Sequence, residues 1–333
     1  MSVEALQITW FVLVGFFFTA YTVLDGFDLG IGILFRFIGR KPEERQTLLR
    51  VLAPVWDGNE LWLITGAMAV FGAFPAVYAT VFSGFYLAIF LIVFSLIFRA
   101  ITFEFWSVGG RFRPFWDAAF TIGSLLPPLL LGIALGNVIQ GVPLTVYGEY
   151  QGDFLTLFRP FPIAVGVFGV LIVAMQGSAY AAMKTTGELQ ARARKFQGLL
   201  RSVFPVALIL LAATTYIYMP EVIERPLALA GIAAAIGTWV VMFIPSLISN
   251  DRDMFVASST MISALWVVGG AVHFPHMVAA SNDPINSLTV ASTASPDQTL
   301  WLMLAVALIG IPLAILYVVY VYRVFRGRTV TAS

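Results

Sequence analysis

An all-α integral membrane protein with nine transmembrane helices, N-terminus outside and C-terminus cytoplasmic, is the fold this sequence predicts, on three observations. Of 333 residues, 59% are hydrophobic and 11% charged, against roughly 25% charged in a soluble domain. Nine apolar runs of about the 20 residues that span a hydrocarbon core follow one another between polar or Gly/Pro breaks. The basic residues alternate in step with those runs.

The runs extend from Ile8 to Phe35, Leu52 to Phe74, Tyr78 to Phe103, Phe115 to Ile139 and Phe161 to Met183. The remaining four extend from Val203 to Tyr218, Leu227 to Ile248, Met254 to Ala280 and Leu300 to Tyr322. Arg36, Arg40, Lys41, Arg45 and Arg50 follow the first run; Arg99, Arg111 and Arg113 flank the third connection; Lys184 to Arg201 follow the fifth. With Arg252, Arg323, Arg326 and Arg328, every Lys and Arg except Arg159 and Arg225 falls on one side, which the positive-inside rule makes cytoplasmic. Trp10 and Trp301 belong to the outer interface, Trp106 to the inner one. The outer connections are short, so residues 1–333 are expected to form a single polytopic domain: helices 1–4 over about 8–139, helices 5–8 over about 161–280, and a peripheral helix 9 over about 300–322.

The net charge of +1 gives no nucleic-acid footprint. No Gly-rich phosphate loop followed by Lys and Ser/Thr is present, which argues against nucleotide hydrolysis. With no cysteine, disulfides, iron–sulfur clusters and covalently attached haem are excluded from this chain. Only His273 and His276 offer imidazole, and Pro275 between them disfavours one regular helical face, so capping or hydrogen bonding is the expected role.

Charges at membrane depth are the candidate functional residues, because each is costly unless paired or hydrated. Asp25 and Asp28 lie in the first run, Asp57 and Glu60 in the second, Arg99 late in the third and Asp117 early in the fourth. Asp25/Asp28 and Asp57/Glu60 are i, i+3 neighbours on their helices. Their convergence suggests a hydrated funnel open to the cytoplasm and a proton-uptake path. The competing reading is structural: Arg99 in a buried salt bridge with Asp28 or Asp57, and Asp117 beside Arg113 favoured by a helix start. Gly26 and Gly30 form a small-xxx-small pair, and Pro127-Pro128 predicts a kink or break in the fourth helix.

The run Asp25-Gly26-Phe27-Asp28-Leu29-Gly30 and the segment Ala53-Pro54-Val55-Trp56-Asp57-Gly58-Asn59-Glu60-Leu61-Trp62-Leu63 resemble subunit II of the cytochrome bd quinol oxidases. Phe82-Ser83-Gly84-Phe85-Tyr86, Phe98-Arg99, Trp116-Asp117, Gly123 to Pro128 and Asp283 to Thr289 extend the resemblance over nearly the whole chain. It implies a multi-pass subunit, in the bacterial or archaeal cytoplasmic (inner) membrane, of an oxidase that oxidises quinol and reduces dioxygen to water. The haem-bearing partner, subunit I, would carry the b-type and d-type haems, with this chain binding none. A quinone held as a structural lipid and small single-helix accessory subunits occur with such chains. The resemblance makes Asp57 the first choice for a proton carrier, with Asp28, Asp25 and Glu60 on the path. Arg99, Asp117 and Trp56 would support the partner's haem site or assembly. A stand-alone proton-coupled transporter and a haem-binding electron carrier built on His273 and His276 are the alternatives that the charged residues and histidines allow.

Overall fold

The computed structural model describes residues 2–248 and 250–329. The helices in chain order are α1 (Val3–Ile33), α2 (Phe35–Ile38), α3 (Pro42–Leu52), α4 (Trp56–Ala73), α5 (Pro75–Gly84), α6 (Tyr86–Val108) and α7 (Arg113–Gln140). After them come α8 (Pro160–Lys184), α9 (Gly187–Tyr218), α10 (Pro226–Val241), α11 (Phe243–Leu247), α12 (Asp251–His273), α13 (Val290–Thr293) and α14 (Asp297–Val324). One two-stranded antiparallel ribbon, β1 (His276–Val278) with β2 (Leu288–Thr289), is present among the described residues.

Seven of these helices are long and apolar enough to cross a membrane: α1, α6, α7, α8, α9, α12 and α14. The second and seventh expected spans correspond to α4 and α10. The polar Asp57, Asn59 and Glu60 open the 18-residue α4, and α10 has only 16 residues before Met242 interrupts it. The third run divides at Phe85, so its first part is the separate α5. The eighth helix ends at His273 rather than Ala280, because the chain passes through Pro275 into β1. The sixth begins well before Val203, with the amphipathic Gly187–Arg201 continuing straight into the apolar run.

Local chemistry fixes the ends. Ser2 caps α1 by accepting from the Ala5 amide at 3.2 Å. Gly141, at φ 97°, terminates α7 in a conformation that side-chain-bearing residues avoid. Of the expected kink or break, the break does not occur: α7 runs helically through Pro127 and Pro128. The carbonyls those prolines leave without helical donors belong to Gly123 and Ser124, two positions where neighbouring helices come close. A methyl at Gly123 would stand 2.6 Å from the Ser95 carbonyl of α6, and one at Gly32 would stand 1.9 Å from Ser124 Oγ.

α8 is the central helix, with 67% of its apolar window buried, whereas α14 buries 6% of its own. Packing of α8 on α1 depends on two glycines. A methyl on Gly30 would meet the Val173 carbonyl at 1.9 Å, and one on Gly177 would meet the Gly30 carbonyl carbon at 2.4 Å. Backbone contact of this kind maximises dispersion where no hydrophobic effect operates between helices. Gly26 contributes less, since its added methyl would find Val173 at an ordinary 3.4 Å.

Next to the bundle's basic end lies α3, whose Glu44 accepts from the amides of Arg40 at 2.9 Å and Lys41 at 3.0 Å and pairs with Arg192 of α9. Burial pushes the Glu44 carboxyl up, but these amides and the guanidinium outweigh it and hold the group below its ordinary value.

Two outcomes are expected. Gly30→Ala or Gly177→Ala should destabilise the bundle by about 1–3 kcal/mol through overpacking, while Gly26→Ala leaves its thermal midpoint in detergent nearly unchanged. Because Glu44 is depressed in the folded state, its contribution is present above the ordinary carboxylate range and is lost as pH falls through the folded value. Limited proteolysis of the α2–α3 region should accelerate on acidification, and Glu44→Gln should remove that pH dependence.

Candidate functional site

Three helices bring charged side chains together near the basic end of the bundle. Arg99 of α6 is fully buried and donates to both oxygens of Asp25 on α1, at 2.6 and 3.1 Å. Its guanidinium also lies 3.8 Å from Asp28 and 3.9 Å from Glu60 of α4. Asp25 and Asp28 are 0% exposed, and the Glu60 side chain is 20% exposed. Asn59 Nδ2 donates to Asp28 Oδ2 at 2.8 Å, and the Tyr322 hydroxyl of α14 donates to Asn59 Oδ1 at 3.1 Å. Asp28 Oδ1, Arg99 Nε and the Tyr21 hydroxyl are buried without a hydrogen-bond partner. A polar chain thus runs from Tyr322 through Asn59 and Asp28 to Arg99, and on to Asp25 and Glu60.

The expected convergence of five carboxylates is corrected in two respects. Asp57 is exposed and points away from Arg99, on the same face of α4 as the exposed Leu61, Ile64, Met68 and Phe71. Asp117 belongs to a second cluster: it accepts from Arg45 of α3 at 2.5 Å and from Trp106 Nε1 at 2.8 Å. Its partner is therefore Arg45 rather than Arg113, which lies over the Trp106 ring at 5.0 Å. The principal partner of Arg99 is Asp25, not Asp28 or Asp57. Trp56, next to Asp57, stacks on Phe103 of α6 with centroids 4.9 Å apart and planes 7° apart.

Asn59 and Tyr322 join the site without having been singled out from sequence. Asn59 sits inside the quoted motif, so its amide was a visible signal. Tyr322 carries none, since its neighbours are brought to it only by the packing of α14 on α4, where Tyr317 closes over Gly58 and Met303 over Gly72.

The histidines do not form a haem pair. His273 Nε2 is engaged by the Met277 carbonyl at 2.7 Å, and its ring stacks near Phe11, while His276 lies on β1. Among the described residues no group of three or more His, Asp or Glu side chains is arranged to hold a metal ion.

Fold and site together define a polytopic helical membrane protein with a sealed arginine–carboxylate cluster and no metal-binding group of its own among the described residues. The sequence family described as cytochrome bd terminal oxidase subunit II matches residues 6–325, and the chain belongs to that family. It is 34% identical to cytochrome bd-I ubiquinol oxidase subunit 2 of Escherichia coli (strain K12), covering 98% of this chain and 95% of that one. It is 31% identical to cytochrome bd ubiquinol oxidase subunit 2 of Bacillus subtilis (strain 168), covering 96% and 95%. The bd oxidase structure from Geobacillus thermodenitrificans contains a chain of the same fold, with a TM-score of 0.82 at 16% identity over 96% of this chain and 98% of that one. The transporter alternative finds no support in these relatives.

Arg99→Met would leave Asp25 and Asp28 buried without their cation, a loss of about 3–5 kcal/mol. The variant should yield little detergent-stable chain by size-exclusion chromatography, and adding Asp25→Leu should recover part of the yield. No recovery would mean that Asp25 is not the principal partner.

Proposed function

We propose that this chain is the haem-free subunit of a quinol-oxidising, dioxygen-reducing terminal oxidase, and that it supplies a proton-uptake route from the cytoplasm. Its family and the printed names of its relatives support the activity. The observation that carries the proton role is the arrangement around Arg99. One guanidinium faces three carboxylates at 3.9 Å or less, so the cluster reaches neutrality by holding protons, and a low-dielectric site strongly favours neutrality.

Asp57 is the entry and transfer group in this reading. It stands at the basic end of an apolar α4 face that no helix covers among the described residues, one helical turn from Glu60. A partner subunit docked on that face would enclose Asp57 and leave Glu60 between it and Asp28 and Asp25. Arg99 holds the cluster's charge, Asp117 ties α3 to α6 and α7, and Trp56 fixes the start of α4. The b-type and d-type haems are assigned to the partner, subunit I, as the family implies. A quinone held as structural lipid and single-helix accessory subunits complete the proposed assembly.

The same reading assigns nine membrane passages, with α4 and α10 joining the seven longer helices. It also assigns an outside N-terminus, a cytoplasmic C-terminus, and residence in the bacterial or archaeal cytoplasmic membrane as one domain, with α14 as the peripheral helix 9. The sidedness of the Lys and Arg residues supports the orientation.

Asp57→Asn should lower quinol-dependent oxygen consumption at least tenfold while the haem spectrum of the purified complex stays near the wild-type level. Equal loss of turnover and haem would make Asp57 a structural residue and remove the proton role.

A further inference from the structure

A cavity of about 270 Å³ opens at the basic end of the bundle, where α3 meets α4 and where α8 and α14 finish. Its wall carries Arg50, Lys184 and Arg328, together with Tyr180 and Tyr322 and the apolar Val51, Val55 and Val324, and no carboxylate. The cavity is built rather than incidental. Lys184, only 7% exposed, donates to the Phe325 carbonyl at 2.6 Å, and the Thr329 amide donates to the Lys184 carbonyl at 2.8 Å. These bonds fold the chain beyond α14 back over the end of α8 and carry Arg328 to the cavity.

Three cations on one concave wall repel one another, and the acids nearby are spoken for. Asp251 accepts from Arg194 at 2.8 Å through each oxygen and from Gln190 at 2.9 Å, and it reaches Arg328 only at 3.5 Å. Asp28 lies behind Tyr322 and Asn59. Lys184 has one carbonyl for its three ammonium protons, and Arg50 is exposed. Such a wall is matched by a group with several anionic oxygens.

We propose that this cavity binds the phosphate of an anionic phospholipid of the cytoplasmic leaflet. Its position where transmembrane helices end is headgroup depth, basic clefts between helices on this side recognise anionic headgroups, and its wall is half apolar. Exposed Leu313, Leu316 and Tyr320 continue an apolar surface along α14 away from the cavity, as acyl chains require. The bound phosphate would lie beside Tyr322, the last member of the polar chain that leads to Asp28. This site rests on the membrane fold and on the orientation proposed above, and is independent of the oxidase reading.

Native mass spectrometry of the delipidated native complex, reconstituted with phosphatidylglycerol, phosphatidylcholine or inorganic phosphate, tests it. One phosphatidylglycerol should be retained per chain. Arg50→Gln with Arg328→Gln should weaken its binding at least tenfold, since each charge-assisted contact is worth about that factor. Arg50→Lys with Arg328→Lys, which keeps the charge, should stay within a few-fold of wild type, as should Arg326→Gln, which lies on the same side outside the cavity. Equal retention of phosphatidylcholine, or equal loss in Arg326→Gln, would overturn the site. Inorganic phosphate that binds and excludes phosphatidylglycerol would overturn the lipid and assign a soluble phosphate compound instead.

Discussion

A guanidinium with no exposed surface, at a depth where water is scarce, has to be neutralised by the protein around it, and Arg99 imposes that condition on three helices at once. Asp25 has to come from α1 and Glu60 from α4, each at a defined rotation about its helix axis. That requirement fixes the relative register of α1, α4 and α6 more tightly than apolar packing does, because an aliphatic contact tolerates a slide that a bidentate ion pair does not. The opposite side of α1 faces α8 through Gly30 and Gly177. α1 is therefore clamped by charge on one face and by backbone contact on the other, and the rest of the bundle assembles around it.

Most of the apolar runs were legible in the sequence because each follows from local composition. Partner choice was not. Residues i and i+3 differ by about 60° around a helix, close enough to count as neighbours, yet that angle turns Glu60 inward to Arg99 and Asp57 outward. Asp117 illustrates the same limit. Its position near Arg113 at a helix start suggested a local interaction, but Arg45, on a short helix 72 residues earlier, is the cation that pairs with it. Tyr322 was invisible for a third reason: a tyrosine near the end of an apolar helix reads as an interfacial anchor, and only the seating of α14 on the glycines of α4 brings its hydroxyl to Asn59.

The prolines of α7 remove backbone donors without breaking the helix. Two backbone donors are missing, as the residue chemistry demands, yet the helix continues because its neighbours pack tightly there. Helices α1 and α6 lie close against α7 at Ser124 and Gly123, the residues whose carbonyls lost their donors. Rigidity supplied by tertiary contact replaces what the helix lost.

Asp57 on α4 and Asp28 on α1 occupy different environments. Asp57 faces outward on an apolar stripe; Asp28 is enclosed with Asn59 and Arg99. Glu60 has contact with both environments, being partly exposed and also within 3.9 Å of Arg99. In the proposed uptake route Glu60 is the carboxylate between the open face and the buried Asp25 and Asp28. Asn59, held by Tyr322, occupies one Asp28 oxygen and ties the cluster to α14.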